Sequence, residues 1–153
     1  MIKIIAIGKI KEKAMVSLIQ EFEKRLKPIH KIEMIELNNS IKPDSEVQVI
    51  IDDECSRIMS RIDSRDYVIL LDLKGDDLSS LQMSDVLMKK LDSGLPITFV
   101  IGGSHGVNEE MRARSNMRWR ISNLTFPHQL VRLMLYEQVY RMFMIANKHP
   151  YHK

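Results

Sequence analysis

"FVIGGSHGVNEEMRARS", residues 99–115, decides how the rest of the chain is read. An apolar run, "PITFVI" (96–101), stops at Gly102-Gly103, and a serine, a histidine and a third glycine lead into a segment of helical character over 107–114. A buried strand that ends in bare backbone and turns straight into a helix has two explanations. The chain needs a tight turn, or something lies against the exposed backbone; glycine, lacking Cβ, serves both. The spacing is G-G-x-x-G. It is neither the G-x-G-x-x-G of a dinucleotide fold nor a P-loop, because no Lys-Ser/Thr follows.

Working outward, the same strand–turn–helix grammar recurs on both sides. "IKIIAIG" (2–8) is β-branched, apolar and closed by glycine, a buried strand. Residues 12–27 carry Met15, Leu18, Ile19, Phe22 and Leu26 at helical spacing, and Pro28 closes that helix. "HKIEMIEL" (30–37) reads as a second strand, "NNSIKPDSE" (38–46) as a loop, and about 46–62 as a helix. "DYVILLDL" (66–73) is a strongly apolar strand broken by "KGDD", and 79–94 is a capped helix ended by Gly94. Beyond the glycine turn, "MRWRIS" (117–122) is a short strand, "NLTFPHQ" (123–129) a loop and 129–146 a long helix before the tail "NKHPYHK".

Strands alternating with helices argue for an α/β fold with a mainly parallel sheet. In such sheets ligands sit at the carboxyl ends of the strands. Here those ends are "LDLKG" (71–75), "IGGSHG" (101–106) and "ISNLTFPH" (121–128), and these loops form the expected site. The last helix is apolar around most of its circumference, from Leu130 to Ile145. Such a helix must be covered on most sides, by a second subunit or as the central helix of a monomer, and the dimer is the favoured reading.

Bulk properties narrow the class. A chain of 153 residues suggests one domain with a core of its own. The single cysteine, Cys55, allows no internal disulfide and fits a reducing compartment, with packing as its expected role. "MIKIIAIGKIKEK" does not read as a signal peptide, and no run approaches the roughly 20 apolar residues of a membrane span, so a soluble cytoplasmic protein is expected. Net charge is +3, but it is unevenly distributed. Residues 44–110 hold 6 Lys/Arg against 14 Asp/Glu, whereas residues 111–153 hold 8 against 1, with three of the five histidines. A basic C-terminal third suggests a polyanion met by one face, or simply a solvated surface.

The residues themselves offer no assembled catalytic constellation. Ser104 and His105 are neighbours only in sequence, Glu137 and Arg141 are spaced as a helical ion pair, and three scattered histidines with no cysteine spacing make a poor zinc site. No metal is expected. Pro127 keeps the "LTFPHQ" loop out of a helix, so its backbone groups need other partners; an adenine edge would serve, or this is an ordinary strand-to-helix loop with Pro127 near the helix start.

Three pieces, "FVIGGSHG" (99–106), "LTFPHQLVRLMLYEQVYR" (124–141) and "HPYHK" (149–153), together resemble the SPOUT-type ribosomal RNA large subunit methyltransferase H family. The likeness extends through "IKIIAIGKIKEK" (2–13) and "EFEKRL" (21–26), and so covers the whole chain. It implies one SPOUT domain over residues 1–153, a C-terminal trefoil knot that forms an S-adenosylmethionine pocket, and a homodimer. It also implies methylation of N3 of a pseudouridine in 23S rRNA, on the assembled ribosome. The implied cofactor contacts are Leu71, Gly102 and the run Ile121, Ser122, Asn123, Leu124, Thr125 and Phe126, with Leu73 and Gly103 beside them. These fall on the strand-end loops chosen from sheet geometry.

Methylation at N3 requires a proton to leave, and His128, Arg141, Tyr151 and His152 are the candidates to handle it, the last two in the partner's site if the tail reaches across. Arg112, Arg114, Arg118, Arg120 and Lys148 are the candidate RNA contacts. No role for His105 is inherited, because the family varies there. Two alternatives stand beside this reading: a tRNA methyltransferase of the same fold, and an RNA- or ribosome-binding protein without activity.

Overall fold

Among the described residues, five strands and five helices alternate: β1 (Ile2–Ile7), α1 (Lys13–Leu26), β2 (Ile32–Leu37), α2 (Val47–Met59), β3 (Tyr67–Asp77), α3 (Ser80–Asp92), β4 (Ile97–Ile101), α4 (Glu109–Arg114), β5 (Met117–Arg120) and α5 (His128–Ala146). The computed structural model describes residues 1–40 and 46–153; part of the expected loop at 38–46 therefore lies outside the described residues. The strands make one sheet of order β2-β1-β4-β3-β5. Every pairing is parallel, so the sheet is parallel throughout rather than mainly so. β1 and β4 are buried along their whole lengths, as inner strands covered on both faces must be.

Alternate residues of each strand serve two cores. Ile2, Ile4, Ile69, Ile97, Phe99 and Trp119 pack with α1, α3 and α5 on one face. Ile5, Ile7, Val68, Leu70 and Val100 pack with Ile51, Cys55 and Ile58 of α2 and Met111 of α4 on the other. α5 lies against the sheet with its own turns buried at Leu135, Val139, Met142 and Phe143. Ser84 on α3 donates to the carbonyl of Met142 at 2.6 Å, and Tyr136 donates to Glu23 on α1 at 2.9 Å. α1 and α3 thus provide part of the cover that the sequence pattern had assigned to a second subunit. Leu130, Leu133, Met134 and Ile145 stay half-buried.

Several boundaries differ from the sequence reading, among them the ends of β3 and β5. "KGDD" does not end β3, which continues to Asp77. Its register against β5 jumps from Leu71↔Trp119 to Asp76↔Trp119, so residues 72–75 bulge out between two pairings with the same tryptophan. Gly75 makes the bulge possible, because a Cβ there would stand 2.7 Å from the backbone carbon of Arg118. On the other side, β5 stops at Arg120 and α5 begins at His128, with Pro127 as its N-cap at φ −57°; Ile121 and Ser122 belong to the loop.

Candidate functional site

The carboxyl ends of β3, β4 and β5 open into one cavity of about 350 Å³. Leu71 and Leu73 come from the β3 end, Gly102 and Gly103 from the turn after β4, and Ile121, Ser122, Leu124, Thr125 and Phe126 from the loop before α5. Nine of the ten residues expected to touch a cofactor therefore line one space. Asn123 does not; its side-chain oxygen accepts from Arg120 at 3.0 Å. Leu73 and Leu124 are apolar yet exposed by 55% and 66%, and stand as lips at the cavity mouth.

The glycine turn answers to its own packing. A Cβ on Gly102 would meet Val107 Cγ1 at 2.7 Å, and one on Gly103 would run into the Glu54 carboxylate from α2. Gly106 sits at φ +88° and donates to the Gly103 carbonyl at 3.0 Å, closing the turn. Asn108 then caps α4 by accepting from Met111 N–H at 2.9 Å, with Glu109 and Glu110 in the first turn. The glycines are thus required by the protein behind the loop as much as by the open space before it. Cys55 is buried in that same backing and accepts from the Asn108 N–H at 3.4 Å; burial pushes its thiol pKa up.

The four candidates for proton handling separate into two places. His128, at the start of α5, lines the cavity. The ring is exposed at the cavity; partial desolvation against the cavity wall lowers its pKa, opposed by the negative charge of Glu54, while Arg132 adds to the lowering. Arg141, Tyr151 and His152 stand together at the far end of α5. Arg141 donates to Glu137 through Nε at 2.9 Å and Nη2 at 2.6 Å, and Tyr151 OH donates to the same oxygen at 3.1 Å. His152 Nδ1 lies 3.0 Å from Arg141 Nη1, and the guanidinium covers the Tyr151 ring at 4.8 Å. The tail is therefore tied down on α5. At about 1.5 Å per residue, Arg141 is roughly 20 Å along the helix from His128.

The basic residues divide likewise. Arg112 and Arg120 line the cavity, and Arg118 joins Arg112, Lys74, Ser115 and Asn116 around an adjoining polar hollow of about 240 Å³. Arg120 is held in a fork by Asp77, with Nε at 3.0 Å. Arg114 points elsewhere, donating to the carbonyls of Asp63 and Asp66 before β3. Lys148 is exposed beyond α5, at φ 55°.

Sequence reasoning did not single out Asp72, Val107, Val131 or Glu54. Asp72 lines the cavity; its Oδ1 accepts from the Lys74 N–H at 3.0 Å, and its buried Oδ2 has no hydrogen bond among the described residues, with Arg118 at 3.6 Å and Arg112 at 3.9 Å. Its position in the "LLDLKG" loop was the available signal. No group of three or more metal-ligating side chains occurs among the described residues, and none of their helices is long and apolar enough to cross a membrane.

Comparison with known proteins matches residues 1–152 to the family described as "Predicted SPOUT methyltransferase". The chain is 46% identical to "Ribosomal RNA large subunit methyltransferase H" of Streptococcus agalactiae serotype III (strain NEM316), over 99% of both chains. It is 43% identical to proteins of the same name from Clostridium botulinum (strain 657 / Type Ba4) and Streptococcus sanguinis (strain SK36), again over 99% of each. The chain belongs to the SPOUT methyltransferase family.

Proposed function

We propose that this member of the SPOUT family is an S-adenosylmethionine-dependent methyltransferase acting on N3 of a pseudouridine in 23S rRNA, in the assembled ribosome of the cytoplasm. The observation that carries the reading is the single cavity at the ends of β3, β4 and β5, walled by nine of the residues the family resemblance implies for the cofactor. The relatives' names supply the RNA substrate class.

The cavity's chemistry fits the cofactor. Leu71, Ile101, Ile121, Phe126 and Val131 offer apolar walls for a flat ring, and the chain at 121–126 offers backbone groups to its edge. The buried, unbonded Oδ2 of Asp72 offers an acceptor to a hydroxyl or ammonium group. We take the implied trefoil knot to be the threading that brings these loops together, within one SPOUT domain over residues 1–153. When bound, S-adenosylmethionine supplies an electrophilic methyl group, whose carbon–sulfur electron pair stays with sulfur.

The protein's own task is to place the target nitrogen and remove its proton. His128 is the one proton-handling candidate that lines the cavity of its own subunit, and its lowered pKa favours a neutral imidazole able to accept. Arg141, Tyr151 and His152 then act from the partner subunit of a homodimer, since the helix holds them far from their own cavity. Arg112, Arg118 and Lys148 contact the RNA backbone. Arg120 and Arg114, already committed to Asp77 and to the Asp63 and Asp66 carbonyls, serve mainly to hold the loops.

Differential scanning of the full chain tests the cofactor assignment. S-adenosylmethionine should raise the melting temperature in a concentration-dependent way, by mass action on the native state. Leu71→Arg, which fills the cavity, should abolish the shift; an equal shift in that variant would remove the assignment.

A further inference from the structure

Glu54 is the least expected group beside the cavity. It lies on α2, among the apolar residues of that helix, and is only 4% exposed. Its Oε2 accepts from the Ser40 N–H at 3.1 Å. Its Oε1 is buried and has no hydrogen-bond partner among the described residues. A buried carboxylate oxygen left unpaired is costly, so its retention needs a reason.

The position of that oxygen points to one. It occupies the space where a Gly103 side chain would begin, and the carboxyl carbon would be 3.1 Å from that Cβ. Gly103 is part of the cavity wall, so the carboxylate stands directly behind a wall that has no side chain. His128 lines the same cavity, and the negative charge of Glu54 acts on its imidazole through space, with no hydrogen bond between them. The other charge acting on His128 is Arg132, one turn along α5, which is paired with Glu36 on β2. The remaining charged groups of the cavity are Asp72, Lys74, Arg112 and Arg120, and Arg120 is held by Asp77.

We infer that Glu54 acts on the site through His128: its carboxylate, buried behind the bare Gly103 turn, stabilises the imidazolium formed when His128 takes the N3 proton. The inference rests on the proposed function and deepens it. In the step, the N3–H bond breaks and its electron pair remains on nitrogen to form the bond to the methyl carbon. The proton moves to the imidazole and from there to water. A buried carboxylate near a base favours the charged form of that base.

The experiment begins with the cofactor-free, full-length protein. The His128 ring resonances are identified by their loss in His128→Asn, and their pH titration is compared between wild type and Glu54→Gln. The titration midpoint should move to lower pH in Glu54→Gln, because removal of the negative charge disfavours the protonated ring. In methyl transfer to ribosomes lacking the modification, Glu54→Gln should lower kcat about tenfold or more while KM for S-adenosylmethionine stays within about threefold. In the His128→Asn background the same substitution should cost no more than about twofold, as expected for groups acting as a unit. Glu54→Asp, which keeps the charge, should leave the midpoint near that of wild type; if Glu54→Gln fails to fold, Glu54→Leu takes its place in the titration and in the cycle with His128→Asn.

An unchanged midpoint in Glu54→Gln, a loss confined to KM, or a full penalty persisting in the His128→Asn background would overturn the inference. A His128→Asn enzyme as fast as wild type would instead remove the proton-acceptor role from the proposed function, and with it the role of Glu54 in that step. A moved midpoint would then still mark the two groups as paired.

Discussion

Arg132 is only 3% exposed, although it carries a full positive charge. It pairs with Glu36 at the end of β2 and donates to the Gly8 carbonyl, just past β1, at 2.9 Å. These bonds fasten the first turns of α5 to two strand ends and so fix where His128 stands. Arg132→Met should cost about 1–2 kcal/mol in urea unfolding, through the lost bonds to the Gly8 carbonyl and to Glu36, whose carboxylate is exposed enough for water to replace the guanidinium. At the amino end of the sheet, Lys3 Nζ lies 2.8 Å from Asp66 and 3.0 Å from Asp63, and Thr98 donates to Asp66 at 2.9 Å.

Burial pushes the Asp66 carboxyl pKa up, but the bonds from Lys3, the Asp63 N–H and Thr98 outweigh it and the net shift is downward. A depressed folded pKa contributes stability that is present above the unfolded value of 3.8 and is lost as pH falls through the folded one. Asp66→Asn should therefore lower stability by about 3 kcal/mol at neutral pH and flatten its fall below pH 4; unfolding curves measured from pH 7 to pH 2 check both. None of these partnerships was legible in the sequence. Glu54 and Gly103, or Arg132 and Glu36, stand far apart along the chain, and their chemistry exists only once the sheet has formed.

At the scale of elements, much more was legible. The apolar runs became strands and the periodic segments became helices because a two-residue alternation and a helical repeat bury different faces. The exceptions lie where a tertiary partner overrides a local signal. "KGDD" carries a turn composition, yet β3 passes through it because Trp119 pairs on both sides of the bulge. Gly75→Ala tests that explanation, since the added methyl would collide with the Arg118 backbone. A loss of about 2 kcal/mol is expected, above the usual gain of Gly→Ala at an unstrained site. The strand-end loops were chosen from sheet geometry alone and do meet in one cavity. What the sequence could not supply was Asp72 as an unpaired acceptor within it, because an aspartate in a loop looks the same whether bonded or not.

For the whole molecule, the separation of His128 from Arg141, Tyr151 and His152 is the feature with the widest consequence. Within one subunit the long helix keeps the tail cluster away from the cavity. If the tail serves a partner's cavity, two inactive variants should complement each other. Leu71→Arg, blocked in the cavity, mixed with Arg141→Ala, deficient in the tail cluster, should recover about a quarter of wild-type turnover after subunit exchange; no recovery in proven mixed dimers would assign the cluster another role. The apolar circumference of α5 hinted at a dimer, but α1 and α3 cover part of it, so the sequence pattern alone could not separate a central helix from an interface.

On the proposed function, the cavity at the ends of β3, β4 and β5 serves methyl transfer to ribosomal RNA. The most direct measurement is transfer of labelled methyl from S-adenosylmethionine to assembled 70S ribosomes, 50S subunits, naked rRNA and bulk tRNA from cells lacking this protein. Label should enter 23S rRNA in assembled ribosomes, disappear when pseudouridine formation is blocked, and be lost with Leu71→Arg. Label in tRNA alone, or no label in any RNA from a protein whose melting S-adenosylmethionine leaves unchanged, would contradict it.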